Sequence, residues 1–112
     1  MTAVQTSTDT ITVHNPADGS VVGSVPVDSP EVVAEKARQL RAAQAEWEAI
    51  GPRGRKSWMM RWQEWVLDNT DHLTKVLMSE TGKSRGDASV EAVALADSIN
   101  YWAGHAEEFL AD

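Results

Sequence analysis

Bulky apolar side chains recur between residues 52 and 68: Trp58, Met59, Trp62, Trp65 and Val66. Their offsets of one, four, seven and eight residues trace one broad side of a helix. A helix with such a face needs other apolar surface to lie against, so this stretch constrains the fold more than any other. Five of the seven aromatic residues are Trp: Trp47, Trp58, Trp62, Trp65 and Trp102. Each can bury on the order of 200 Å². They offset the entropy lost on ordering the chain only if they join one core with the Val, Leu, Ile and Ala faces.

The other elements are arranged around that helix. Residues 1–10 read as a loose polar tail. Ile11-Thr12-Val13 alternates apolar and polar, and His14-Asn15-Pro16 stops the pattern. Asp18-Gly19 supplies the positive φ of a tight turn, and Val21 to Val27 is β-branched and alternating. Residues 11–28 therefore read as a β-hairpin, with Pro26 marking an edge. Residues 29–106 read as about four helices. Ser29 caps the first, Pro30 fits its first position, and Val33, Ala37, Leu40 and Trp47 share a face. Gly51-Pro52 separates the first helix from the second. Asn69-Thr70-Asp71 reads as a break with a fresh cap. Leu73, Val76 and Leu77 then face inward on a third helix that ends near Thr81-Gly82. A fourth helix runs from about Ser84 to Ala106. Ala88, Ala92, Leu95, Ala96, Ile99, Trp102 and Ala103 line one side of it, and Val90 and Val93 lie on another. The expected class is α+β.

Composition narrows the functions. The chain has 112 residues, 10 Lys plus Arg against 17 Asp plus Glu, and a net charge of -7. That balance disfavours nucleic acid and anionic lipid as partners. There is no Cys, so thiol catalysis and Cys-ligated metal by this chain are excluded. No apolar run is long enough to span a bilayer, and the first ten residues lack the pattern of a secretory signal. The cytoplasm is the expected compartment.

No motif assembles a site. Thr81-Gly82-Lys83-Ser84 matches the end of a phosphate-binding loop, but that pattern needs Gly where Leu77 stands, and it must follow a strand. A helix C-cap followed by a turn explains it better. Arg53, Arg55, Lys56 and Arg61 interleave with Trp58, Trp62 and Trp65, as in single-strand nucleic-acid binders. A solvated face opposite a core face is the simpler reading. His14, His72 and His105 fall on separate elements without metal-ligand spacing. Glu107-Glu108 and Asp112 read as a solvated acidic helix end.

Several strings, in order, resemble the opening segment of the aldehyde dehydrogenase superfamily. They are Asn15-Pro16-Ala17-Asp18-Gly19 with Val21-Val22-Gly23-Ser24-Val25-Pro26; Trp47; Pro52-Arg53-Gly54-Arg55; Ser79-Glu80-Thr81-Gly82-Lys83; and Tyr101-Trp102-Ala103-Gly104. The resemblance runs from about residue 11 to the end and is nearest to the bacterial succinate-semialdehyde type. Gly54, Ser84 and the Trp-rich second helix depart from the family pattern, in packing rather than chemistry. The resemblance implies NAD(P)-dependent oxidation of an aldehyde to an acid, with a nucleophilic Cys, an oxyanion hole and a Glu that activates water. It also implies that residues 11–112 belong to a Rossmann-like cofactor-binding domain of an oligomeric enzyme. No residue of this chain matches a family catalytic or cofactor position, so none is carried over, and no metal site is expected. A scaffold segment, inactive alone and packing on the remainder of the enzyme and on other subunits, is what the resemblance implies. A free-standing helical interaction module, gripping a partner helix with its Trp stripe, is the alternative.

Overall fold

The computed structural model describes residues 9–111. The expected tail therefore lies outside the described residues as far as residue 8. Strand β1 (Thr10–His14) pairs antiparallel with β2 (Val21–Pro26), Thr10 standing opposite Pro26. The register shifts between Val13 and His14, which leaves Val22 as an extra residue on β2. Pro26 sits at the end of the ladder, where a missing N–H costs least. The connecting loop holds itself together: Asn15 Oδ1 accepts from Ala17 N at 3.0 Å, and Asp18 Oδ1 accepts from Ser20 N at 2.9 Å. Gly19 provides the expected positive φ, at 74°.

Four helices follow: α1 (Pro30–Ala49), α2 (Gly51–Asp68), α3 (Thr70–Thr81) and α4 (Arg85–Phe109). Ser29 caps α1 by accepting from Val32 N, as its sequence position predicts. Ser84 does the same for α4 through Asp87 N, and its hydroxyl donates to Asp87 Oδ2 at 2.7 Å. The break at Asn69 departs from the expectation of a fresh cap. Its amide donates back to Trp65 O at 2.8 Å, so it serves the end of α2 and not the start of α3. Helix α4 also runs three residues past Ala106. Phe109 lies within ring contact of Trp102 and His105, and Glu107 accepts from Arg53 Nε at 3.2 Å. These contacts hold the last turn.

The core lies where α2 and α4 meet, with α3 beside them. Arg53 reaches Glu107, and Gln63 Nε2 donates to Ala96 O at 2.9 Å, so α2 and α4 run antiparallel. The side of α4 turned inward carries Ala88, Ala92, Ala96, Ile99 and Ala103, all buried. Its small residues let α2 approach closely. Val66 from α2 is 1 % exposed and packs with Ala96 and Ile99, with Met59 and Leu73 around them.

The Trp residues are not in this core, contrary to the expected core face on α2. Trp58, Trp62 and Trp65 are exposed at 55, 44 and 50 %. At ~100° per residue, the line through Met59 and Val66 lies roughly a quarter-turn from the line through the three Trp. Only the first line faces α4. Trp102 on α4 is exposed for the same reason, whereas Trp47 is exposed because α1 buries only Val32. On α1 the buried residue is Val32, while Val33 and Leu40, on the expected inward face, are open.

Two global quantities express the same fact. The accessible surface is 8654 Å², where a folded monomer of this mass shows about 6,000 Å². The radius of gyration is 18.5 Å, against about 13 Å for a compact domain of this length. Helix α1 extends away from the α2–α3–α4 body and leaves apolar faces uncovered.

Candidate interaction surfaces

The chemistry-bearing residues singled out in the sequence stay apart. Gly82 is the left-handed C-cap of α3 (φ 69°), its N–H bonded to Met78 O at 3.0 Å. Thr81-Gly82-Lys83-Ser84 is thus a helix end and a helix start, as expected, and Lys83 is ion-paired with Glu91. His14 Nδ1 lies 3.3 Å from Gly19 O in the hairpin loop. His105 Nδ1 lies 2.7 Å from Tyr101 O, its ring against the Tyr101 ring. His72 is exposed on α3. No group of three His, Asp or Glu that could hold a metal exists among the described residues. Asp112 lies outside the described residues, while Glu107 and Glu108 are exposed at the end of α4.

The basic residues of α2 are divided by their partners. Arg53 pairs with Glu107, which raises its pKa further through hydrogen bonding and charge. Arg55 reaches back to Trp47 O at 3.4 Å. Arg61 lies over the Trp58 ring, 4.8 Å from its centroid. The Trp residues and these charges therefore share a solvated region, which corrects the expectation of charge on one face and core on the other.

What the structure brings together is apolar surface. An open cleft of about 850 Å³ lies between α1 and α2, walled by Ala37, Leu40, Trp47 and Ile50 on one side and Trp58 on the other. The chain turns sharply at Ile50-Gly51, where Gly51 has φ 66°. That joint swings α1 away from α2. A second open area is the outer side of α4, where Val90 and Val93 are 65 and 58 % exposed. The extra face of α4 was legible as Val90 and Val93 in the sequence. The cleft was not, because periodicity identifies a face without saying whether anything meets it.

The described residues have a different topology from a nicotinamide dinucleotide cradle. Such a ligand sits where parallel strands feed helices across an open sheet. Here the one sheet is an antiparallel hairpin, and the Gly82 loop joins two helices.

The described residues thus form an antiparallel hairpin and four helices that leave large apolar faces uncovered. The profile of the Aldehyde dehydrogenase family matches residues 3–112, and the chain belongs to that family, as its N-terminal segment. It is 33 % identical over 106 residues to a glutarate-semialdehyde dehydrogenase of Pseudomonas putida, which covers 92 % of this chain and 22 % of the relative. The glutarate-semialdehyde dehydrogenase of Pseudomonas aeruginosa is 35 % identical over 98 residues, covering 85 % of this chain and 20 % of its own length. The lactaldehyde dehydrogenase of Escherichia coli is 29 % identical over 99 residues, covering 88 and 21 %. The chain spans about a fifth of the length of these relatives.

Proposed function

We propose that this chain is the scaffold segment of an NAD(P)-dependent aldehyde dehydrogenase that oxidises a semialdehyde to a carboxylic acid. The observation that carries this reading is the family match across nearly the whole chain, joined to uncovered apolar faces on α1, α2 and α4. In this role the hairpin and helices pack on the cofactor-binding body. They contribute no catalytic, cofactor or metal residue, and the nucleophilic thiol comes from elsewhere, since the chain has no Cys. The whole enzyme is cytoplasmic and oligomeric. Relatives named for glutarate, malonate and succinate semialdehydes support that substrate class more broadly than the succinate type alone. The free-standing interaction module is not favoured.

The test is a chimera. Residues 3–112 replace the matching segment of the Pseudomonas putida relative. The expected result is a soluble protein that reduces NAD(P) with glutarate semialdehyde, while the 112-residue chain alone neither turns over nor quenches or enhances nicotinamide fluorescence. An inactive, folded chimera overturns the reading, and so does micromolar dinucleotide binding by the short chain.

A further inference from the structure

Gly follows an Asp or Asn once in the chain, at Asp18-Gly19. Gly19 has no Cβ to shield its nitrogen from the Asp18 side chain. That nitrogen can attack Asp18 Cγ, losing its proton while the carboxyl oxygen leaves as water, and a five-membered succinimide closes. Water then reopens the ring. Addition at the Cγ carbonyl restores Asp. Addition at the former main-chain carbonyl leaves the chain running through the side chain, as isoaspartate. One water leaves and one returns, so mass and oxidation state are unchanged. Asn15 has no such route, because Pro16 after it carries no N–H.

The turn engages both groups that ring closure must bring together. The Gly19 N–H donates to Asn15 O at 2.7 Å, so the attacking nitrogen is tied to the main chain behind it. Asp18 Oδ1 accepts from Ser20 N at 2.9 Å and from Ser20 Oγ at 2.6 Å, which ties the carboxyl to the residue ahead. These bonds favour the carboxylate, which keeps its oxygens, over the protonated acid, which can lose one as water. Asn15 N donates to Ser20 O at 2.8 Å and closes the loop around both groups, with His14 Nδ1 3.3 Å from Gly19 O. All of these bonds lie within residues 14–20.

We propose that Asp18 is a site of spontaneous isoaspartate formation that the hairpin turn holds closed, Asn15 O guarding the nitrogen and Ser20 the carboxyl. The reaction then proceeds only through opened turns, and its rate follows their population. Isoaspartate adds one methylene to the main chain, about 1.5 Å, inside a loop whose ends are bonded at Asn15 and Ser20. Pro16 and Ala17 of that loop lie against Gly82 at the end of α3, so the added length works against the seat of the hairpin on the helices. The proposal rests on bonds inside one turn and not on the dehydrogenase reading.

The experiment ages the 112-residue chain and Ser20→Ala at neutral pH, each folded and in urea, with circular dichroism to confirm the folded arms. Ser20 is exposed, so folding should survive its truncation. Isoaspartate at residue 18 is read by peptide mapping and by methyl transfer from S-adenosylmethionine with an isoaspartyl methyltransferase. The wild type should form it at least about tenfold faster in urea than folded. Ser20→Ala should speed the folded chain by about threefold or more, while the two sequences age alike in urea. Folded and unfolded wild type ageing at one rate overturns the proposal. So does a folded Ser20→Ala no faster than wild type, or a gain equally large in urea. So does isoaspartate arising first at another Asp or Asn. Chains separated with isoaspartate at residue 18 should unfold at lower urea than their Asp18 counterparts, and equal midpoints would overturn the link to the seat on Gly82.

Discussion

Gly82 and Pro16, far apart in sequence, are in contact: a Cβ built on Gly82 would lie 3.0 Å from Pro16 Cγ and 3.3 Å from Ala17 N. Gly82 ends α3 in the left-handed region, at φ 69°. One residue thus serves two purposes. It closes a helix, and its missing side chain makes room for the hairpin loop. The contact joins the Asn15-Pro16-Ala17-Asp18-Gly19 string to the Glu80-Thr81-Gly82-Lys83 string, and so the hairpin to the helical body.

Gly82→Ala should cost about 2 kcal/mol, from left-handed strain plus crowding against Pro16. Gly19→Ala provides the control. Gly19 has φ 74° but open space around its Cβ, so only the strain applies, about 1 kcal/mol. Urea unfolding of the two variants checks the difference. Equal losses would mean that the hairpin loop does not rest on Gly82.

Val66→Ala should destabilise the chain more than Trp65→Ala, although Trp is far larger. Val66 is 1 % exposed against Ala96 and Ile99, and its truncation should leave a cavity costing about 2 kcal/mol. Trp65 is half exposed and its truncation opens no enclosed cavity, so its loss should cost less, about 1 kcal/mol. Denaturant midpoints in the opposite order would place the core on the Trp line.

Gly54→Ala should destabilise, against helix propensity. Propensity alone favours Ala by about 1 kcal/mol in a helix interior. Here the new Cβ would lie 2.9 Å from Ile50 Cβ and 3.3 Å from Ile50 Cγ1, and Cβ cannot swing aside. Overpacking at the α1–α2 joint should win by about 1 kcal/mol. A raised thermal midpoint would show that the joint yields freely. The missing Cβ of Gly54 is thus what leaves room for Ile50 at this bend.

Asp18 holds its carboxyl below the usual carboxylate range, first through the Ser20 hydroxyl at 2.6 Å and then through the Ser20 N–H. A lowered folded pKa stabilises above the ordinary value, and that contribution disappears as the pH falls through the lowered one. Ser20→Ala should therefore narrow the stability margin at neutral pH, with the gap to wild type closing on the acid side of about pH 4. Urea midpoints of both chains from pH 7 to pH 2 give the comparison. A gap that persists at the acid end would assign the effect to something other than Asp18 ionisation.

Local structure was largely legible in the sequence. Ser29 and Ser84 carry the cap chemistry, Gly19 and Gly82 the positive φ, and the alternation of Val21 to Val25 the strand, because each depends on neighbours within a few residues. Asn69 was misread because an amide can serve the helix behind it as well as the one ahead, and only the geometry of the link chooses.

The sequence by itself determined which residues are apolar and at what spacing: a hairpin, four amphipathic helices and a family's order of strings. Only the tertiary structure decided which apolar line is buried. On α2, Met59 and Val66 win over Trp58, Trp62 and Trp65, because the Ala-rich side of α4 accepts a close-fitting line of small and flexible side chains and the indoles stand a quarter-turn away. Burial is a property of two surfaces, and a helical period describes only one of them.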